Sequence, residues 1–384
     1  MGVATTTLQS PPFSCVAIQL SQAAEVSASL RKAGSPHQCG SVALGISLMK
    51  TFYRLTVLFL AGLSLTAGAA PELDAVLIDR AASNAPSVFL NATERVQSIR
   101  TFLSLAQIKG SSGQEQAIRD EVKRMLMASG AVEVPLKDAG SEVPLNLVME
   151  LPATGNLTNA PGLLLNAHLD TLSHSTPENL VFDSDSGDFY HRFQTDSSQS
   201  SSFGGDDRSG VAAIVESVRC LQANHWRRGV PHRRIVLVFT ADEERGCIGA
   251  KYLANHHSEL FANLDLSLTM DGPLDFRPNP PTNRVIAVVA QSNLTNAPYR
   301  RVLELLREFS SRTQIAFEHT EYGLGRGDFA YFPPSAHAGL HLRSPVRGYH
   351  TRERVNVRDQ INHVDLLCHL ILGWDQTLPR PARP

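Results

Sequence analysis

A chain of 384 residues, 42% hydrophobic and 19% charged, has the composition of a globular protein and excludes a disordered or fibrous one. Its length suits one large α/β domain or two ordinary ones. A formal charge of -2, with arginine pairs as short as Arg227-Arg228 and Arg233-Arg234, gives no electrostatic case for nucleic acid.

The first organised segment starts at Met49-Lys50. Arg54 precedes an apolar run from Leu55 to Leu65, and Thr66-Ala67-Gly68-Ala69-Ala70 follows. A positive start, a short apolar middle and a small-residue exit are the parts of a secretory signal peptide. The run falls short of the about 20 apolar residues that span a bilayer; a buried core helix is the alternative. The expected organisation is an upstream extension over 1–48, a signal peptide over 49–70 cleaved after Ala69 or Ala70, and a single catalytic domain over 71–384. Such a protein is secreted or periplasmic, with no stable membrane insertion after cleavage. Export permits disulfides, but Cys220, Cys247 and Cys368 are odd in number and lack CxxC spacing. Cys220 and Cys368 lie among apolar residues and read as small hydrophobes. Asn91, Asn156 and Asn293 open Asn-X-Thr sequons.

Along the remaining chain, Thr93 to Phe102 and Gln114 to Ala128 read as helices. In the second, Ile118, Val122, Met125 and Leu126 recur at helical spacing, with Ser112 or Gly113 near the cap and Gly130 as the stop. Asn146 to Leu151 and Gly162 to Asn166 read as strands. Thr171 to Gly205 is a Ser/Asp-rich stretch expected to form a surface hairpin or flap. From Ser209, Val211, Ile214, Val215, Val218 and Leu221 make one apolar helical stripe. The unbroken run Ile235 to Phe239 is a strand buried on both faces. A short helix over Ala250 to His257, strands over Leu264 to Met270 and Val285 to Ala290, a helix over Pro298 to Ser311, a strand over Ala338 to Leu342 and a helix over His363 to Gly373 complete the pattern. Strands alternating with helices imply an α/β three-layer sandwich with a mostly parallel central sheet.

That architecture gives five polar residues a common address. His168, Glu244 and Asp271 each follow a predicted strand, where open α/β sheets bind ligands. Asp206, in Gly205-Asp206-Asp207-Arg208-Ser209-Gly210, and His350, in Tyr349-His350-Thr351, are the other two. Taken singly, each has a plain reading: a strand end for His168-Leu169-Asp170, a turn or cap for Asp206-Asp207, surface acid for Glu243-Glu244 and a turn for Asp271-Gly272-Pro273. Together, two imidazoles and three carboxylates suit a pair of zinc ions, with cobalt or manganese as alternatives. Two carboxylates directly after a wholly apolar strand are costly unless paired or metal-bound. The other histidines, His174, His191, His225, His256, His257, His319, His337, His341, His363 and His369 among them, have no such constellation and read as structural.

The motifs Gly-Asp-Asp-Arg-Ser-Gly, Asp242-Glu243-Glu244 and Met270-Asp271-Gly272-Pro273 resemble the zinc-dependent exopeptidase superfamily, and peptidase T within it. Gly325-Arg326-Gly327-Asp328 ahead of the last histidine is similar to that pattern too, and the match spans roughly residues 95–372. The resemblance implies a phosphorylase/hydrolase-like zinc exopeptidase fold. It implies that Asp206 bridges two zinc ions, with Glu244 and His350 on one and His168 and Asp271 on the other. Glu243 would be the general base and Asp170 would orient His168, while the Asp206–Asp207 peptide bond is cis in many relatives. In one respect the chain departs from peptidase T. About 79 residues separate Asp271 from His350, too few for that enzyme's inserted lid domain. Substrate contacts must then come from loops, with Arg326, Asp328, Arg347 and Arg352 as candidates. The expected function is hydrolysis of peptide bonds by metal-activated water, as an exported aminopeptidase of short peptides. A metallo-carboxypeptidase or an amidohydrolase of small amides is the rival using the same metals, and an arginine poised for a carboxylate would favour it. A glutaminyl-cyclase-like single-zinc transferase and a binding module that has lost catalysis are disfavoured, because all five ligand positions and Glu243 are present.

Overall fold

The computed structural model describes residues 73–136, 144–173, 175–192, 202–275, 284–290, 297–322, 327–332, 338–348, 350 and 352–376. The expected extension 1–48 and expected signal peptide 49–70 lie outside the described residues, as do Arg326, Asn293, His174 and His337.

Three helices come first: α1 (Ala75–Asn84), α2 (Ala92–Ala106) and α3 (Gln116–Ala128). Asn91 and Glu94 form a reciprocal capping box on α2, which satisfies two of the N–H groups a helix start leaves open. The sequence pattern misses α1, which buries only Ile78 and Ala82. At α3 the cap position is Glu115, not Ser112 or Gly113. Its carboxylate turns away to accept the N–H of Gly113 at 2.8 Å and of Asp242 at 3.1 Å.

Strands β1 (Val132–Glu133), β2 (Leu147–Leu151), β3 (Gly162–His168), β4 (Leu180–Asp183) and β5 (Asp188–His191) precede α4 (Gly205–Asn224). There follow β6 (Ile235–Thr240), α5 (Ile248–His256), β7 (Leu264–Asp275), β8 (Arg284–Ala290), α6 (Ala297–Thr313), β9 (Ala316–Tyr322), β10 (Ala338–Arg347), β11 (Arg354–Asn356) and α7 (Val357–Trp374). The sheet runs β1-β2-β6-β3-β7-β10-β11-β5-β4, with β8 on β10 and β9 on β8. Its centre, β6-β3-β7-β10, is parallel. Antiparallel pairs β1–β2–β6 and β10–β11–β5–β4 flank it, so the sheet as a whole is mixed.

Alternate residues of the central strands serve opposite faces. Leu163, Leu165, Ile235, Leu237 and Phe239 join the larger core with α2, α4 and α7. Leu164, Val236 and Val238 join a second core with Ala250 and Leu253 of α5. Those two apolar layers around one sheet are the three-layer sandwich, and they explain why Ile235 to Phe239 has no polar side. The stretch from Asp271 to His350 is filled by β7, β8, α6, β9 and β10, and no lid domain is evident among the described residues. Nor, among them, is any helix long and apolar enough to cross a membrane.

Candidate metal centre

Because the central strands are parallel, their ends deliver side chains to one edge. His168 closes β3, paired across to Thr240 at the end of β6, and Glu243 and Glu244 follow in the next turn. Asp271 sits inside β7, because that strand continues past Met270 to pair with β10 across a register shift beyond Leu342. Asp206 enters from Gly204, whose φ of 87° only glycine adopts cheaply, and a Cβ there would meet Thr171. The Asp206–Asp207 bond is cis. His350 has φ 58°.

The structure brings these five side chains together in two groups that share one member. His168 Nε2 lies 3.5 Å from Asp206 Oδ1 and 3.8 Å from Asp271 Oδ1. His350 Nε2 lies 3.5 Å from Asp206 Oδ2 and 3.1 Å from Glu244 Oε1. Zinc–nitrogen and zinc–oxygen bonds of about 2.1 Å in a tetrahedron put neighbouring donors about 3.4 Å apart. The observed separations straddle that value. Apart from those imidazoles, Asp206 Oδ1 and Glu244 Oε1 are buried with no hydrogen-bond partner among the described residues, and buried carboxylate oxygens rarely stay that way without a ligand. The donor set therefore fits divalent cations.

Electrostatics agree. Burial alone would lower the His350 imidazole, but Asp206 and Glu244 reverse this and push it up to about 10. His168 is likewise raised well above its usual value against burial, by Asp170 and Asp206. Burial pushes Asp271 up, and the Glu243 charge adds to it. Without cations the cluster holds protons, and metal binding releases them.

A second layer fixes the ligands. His168 Nδ1 hydrogen-bonds the Asp170 backbone carbonyl at 3.0 Å, closer than the 3.4 Å to its carboxylate Oδ1. That carboxylate is engaged elsewhere: Oδ1 accepts the N–H of Glu243 at 2.9 Å, and Oδ2 accepts the N–H of Glu244 at 3.1 Å and the Ser112 hydroxyl at 2.6 Å. Asp207 accepts the Gly210 N–H at 3.1 Å and the Ser344 hydroxyl. The fully buried Arg208 donates to the carbonyls of Leu169 and Gly110, and burial lowers it to about 10. Glu353 Oε2 accepts three N–H groups, from Phe203, Gly204 and Gly205, just ahead of Asp206. His341 Nε2 bonds the Asp271 carbonyl at 2.9 Å. The sequence pattern gave no role to Arg208, Glu353 or His341, whose partners lie far away along the chain.

Glu243 stands beside the five ligands. A Cβ on Gly327 would lie 2.4 Å from Asp271 Oδ2 and 3.7 Å from Glu243 Oε1, so the chain passes close there. Two candidate substrate residues are placed otherwise than expected. Arg347 is buried, with its guanidinium on Asp359, Nε to Oδ2 at 3.0 Å. Asp328 is 1% exposed and accepts the Thr240 hydroxyl. Both side chains are buried, Arg347 against Asp359 and Asp328 with one oxygen on Thr240. Arg352, at φ 53°, is half-buried two residues beyond His350.

Residues 146–366 match peptidase family M28. Solved structures of similar fold include the aminopeptidase PepT from Bacillus cereus, 13% identical, covering 72% of this chain and 97% of that one with a TM-score of 0.54. A tripeptidase from Staphylococcus aureus is 18% identical, covering 74% and 98% with a TM-score of 0.56. The LapA aminopeptidase of Legionella pneumophila is 16% identical, covering 81% and 78% with a TM-score of 0.50. At these identities the likeness is one of fold. Comparison with curated proteins finds no match.

Proposed function

The chain belongs to peptidase family M28, and from that premise we propose that it is a di-zinc aminopeptidase of short peptides, exported from the cell that makes it. His168, Asp206 and Asp271 would hold one ion, and Asp206, Glu244 and His350 the other. The observation that carries this reading is Asp206, whose two carboxylate oxygens face two different imidazoles, each at 3.5 Å. Cobalt or manganese would suit the same donors.

Ions held by these residues would supply a water of lowered pKa and a polarised scissile carbonyl. Glu243 would take the proton of that water and hand it to the amine nitrogen as the C–N bond breaks. Its main chain is fixed through Asp170, which links the base to the turn carrying His168. On either side of Asp206 the chain is fixed, at Gly205 by Glu353 and at Asp207 by Ser344 and the Gly210 N–H, which would orient the bridging carboxylate.

Preference for the amino end is supported by the aminopeptidase folds the chain resembles. Arg347, one of three arginines (with Arg326 and Arg352) that could bind a carboxypeptidase substrate's carboxylate, is bonded instead to Asp359. Export is supported by the pattern over 49–70. The test is a panel of free-amine and N-blocked peptides assayed with and without chelator. Cleavage of free-amine peptides only, lost on chelation and restored by zinc, is the expected result. Activity confined to blocked substrates would move the assignment to a carboxypeptidase or amidohydrolase.

A further inference from the structure

Beside the five-ligand centre lies a second donor cluster, and sulfur sets it apart. Between β6 and α5 the chain turns tightly, with the N–H groups of Gly246 and Cys247 both on the Glu243 carbonyl, at 2.7 and 2.8 Å. The turn folds Cys247 back over Glu243, its Sγ 3.3 Å from Oε1. Asp328 comes in from far along the chain. It is 1% exposed, and its Oδ1 has no hydrogen-bond partner among the described residues. One donor atom from each of Glu243, Cys247 and Asp328 lies within 4.8 Å of the others.

We propose that Glu243, Cys247 and Asp328 form a third cation site for a thiophilic divalent ion, Zn²⁺ or Cd²⁺, and that filling it silences the enzyme by taking Glu243 out of proton transfer. This rests on the reading of Glu243 as the base. Zinc bonds of about 2.3 Å to sulfur and about 2.1 Å to oxygen set tetrahedral neighbours about 3.6 Å apart, so the Cys247–Glu243 pair is already close to the needed spacing. Asp328 Oδ1 supplies a third donor, and water completes the shell. The five-ligand centre offers only nitrogen and oxygen, so a sulfur donor distinguishes the third site by chemistry. Burial first, and then the Glu243 charge, push the Cys247 thiol up, so it stays protonated until a cation arrives. Binding then exchanges the S–H proton, released to solvent, for a metal–sulfur bond, with no change of oxidation state.

The experiment uses the full-length protein loaded with zinc, then titrated with Cd²⁺ and, separately, with excess Zn²⁺. A thiolate-to-cadmium charge-transfer band saturating at one equivalent is expected, absent in Cys247→Ala and Cys247→Ser and weakened about tenfold in affinity in Asp328→Asn. Excess Zn²⁺ is expected to cut turnover at least about tenfold in the native protein and to leave the two Cys247 variants at their low-zinc rate. No band, a band that survives in both Cys247 variants, or equal zinc inhibition in native and variant proteins overturns the proposal. A band with undiminished turnover overturns the inhibitory role. Absence of peptidase activity even at limiting zinc would sink the functional reading instead, and the band would still decide whether the third site exists.

Discussion

The carboxylate of Asp170 accepts the backbone N–H of Glu243 at 2.9 Å, while the carbonyl of the same residue holds the His168 imidazole at 3.0 Å. One residue thereby sets the position of a proposed metal ligand and of the proposed base. In Asp170→Asn a single oxygen remains for the N–H groups of Glu243 and Glu244, and the amide NH₂ confronts one of them. Zinc affinity or kcat/KM should fall about 10–100-fold, read by chelator competition and steady-state kinetics. Unchanged values for both would show that Asp170 does not couple the two.

Glu243→Gln removes the proton acceptor without touching the five ligands. We expect kcat to drop about 10²–10⁴-fold, with zinc content unchanged by elemental analysis. Normal turnover would remove Glu243 as the base, and lost zinc would make it a ligand.

The site was legible where local pattern and position coincide. His168 and Glu244 follow strands whose apolar runs are unmistakable, and the Gly-Asp-Asp motif around Asp206 is short and compact. Glu353 was illegible because its three N–H partners lie about 150 residues away and only folding joins them. Arg208 stands inside the Gly-Asp-Asp motif, but its role depends on main-chain carbonyls far along the chain, on which folding buries it wholly. Arg347 shows the converse: a charge at a strand end read as a substrate contact, and burial against Asp359 turned it into a structural ion pair. In the fold, the parallel centre followed from apolar runs that need cover on both faces. The two-residue β1 and the three-residue β11 are too short to show a period, whereas the antiparallel hairpin β4–β5 lies in the stretch from Thr171 to Gly205, where a hairpin or flap is expected.

If Asp206 is shared between two ions, its loss should be felt at both, unlike that of a ligand on one side. Asp206→Asn should bring zinc content from two equivalents toward none. Glu244→Gln should leave one, still held by His168, Asp206 and Asp271. Elemental analysis after gel filtration distinguishes the two, and retention of both equivalents in Asp206→Asn would rule out bridging.

Glu353 gives a prediction about positioning. Its three N–H bonds all fall on Oε2, and Oε1 has no hydrogen-bond partner among the described residues. Burial, and then the Asp206 charge, push its carboxyl up to about 7. A glutamine oxygen can take over all three bonds, whereas alanine leaves the buried N–H groups of Phe203 and Gly205 unmet, at about 1–3 kcal/mol each, with Gly204 keeping the Ser202 hydroxyl at 3.2 Å. Glu353→Ala should therefore lose about 2 kcal/mol or more in urea unfolding and bind zinc more weakly, and Glu353→Gln should restore most of both. Equal losses in the two variants would contradict this account.

Asp365, remote from the metal centre, ties the link between α1 and α2 to α7. It accepts the Ser87 hydroxyl at 2.7 Å and the N–H groups of Val88 at 2.8 Å and Phe89 at 3.2 Å. Burial still outweighs those bonds and pushes its carboxyl from 3.8 up to about 6. Because the folded value lies above the unfolded one, the stabilising contribution is complete below about pH 4 and is lost as the pH rises through about 6. A displacement of about 2 pH units corresponds to on the order of 2–3 kcal/mol. Asparagine keeps one acceptor but cannot titrate, so Asp365→Asn should be the less stable protein in acid and should gain on the native one as the pH rises. Urea unfolding of both proteins from about pH 4 to 7 reads the difference directly. A gap that stays constant over that range would mean that Asp365 is ionised throughout, its three donors having fully offset the cost of burying its charge.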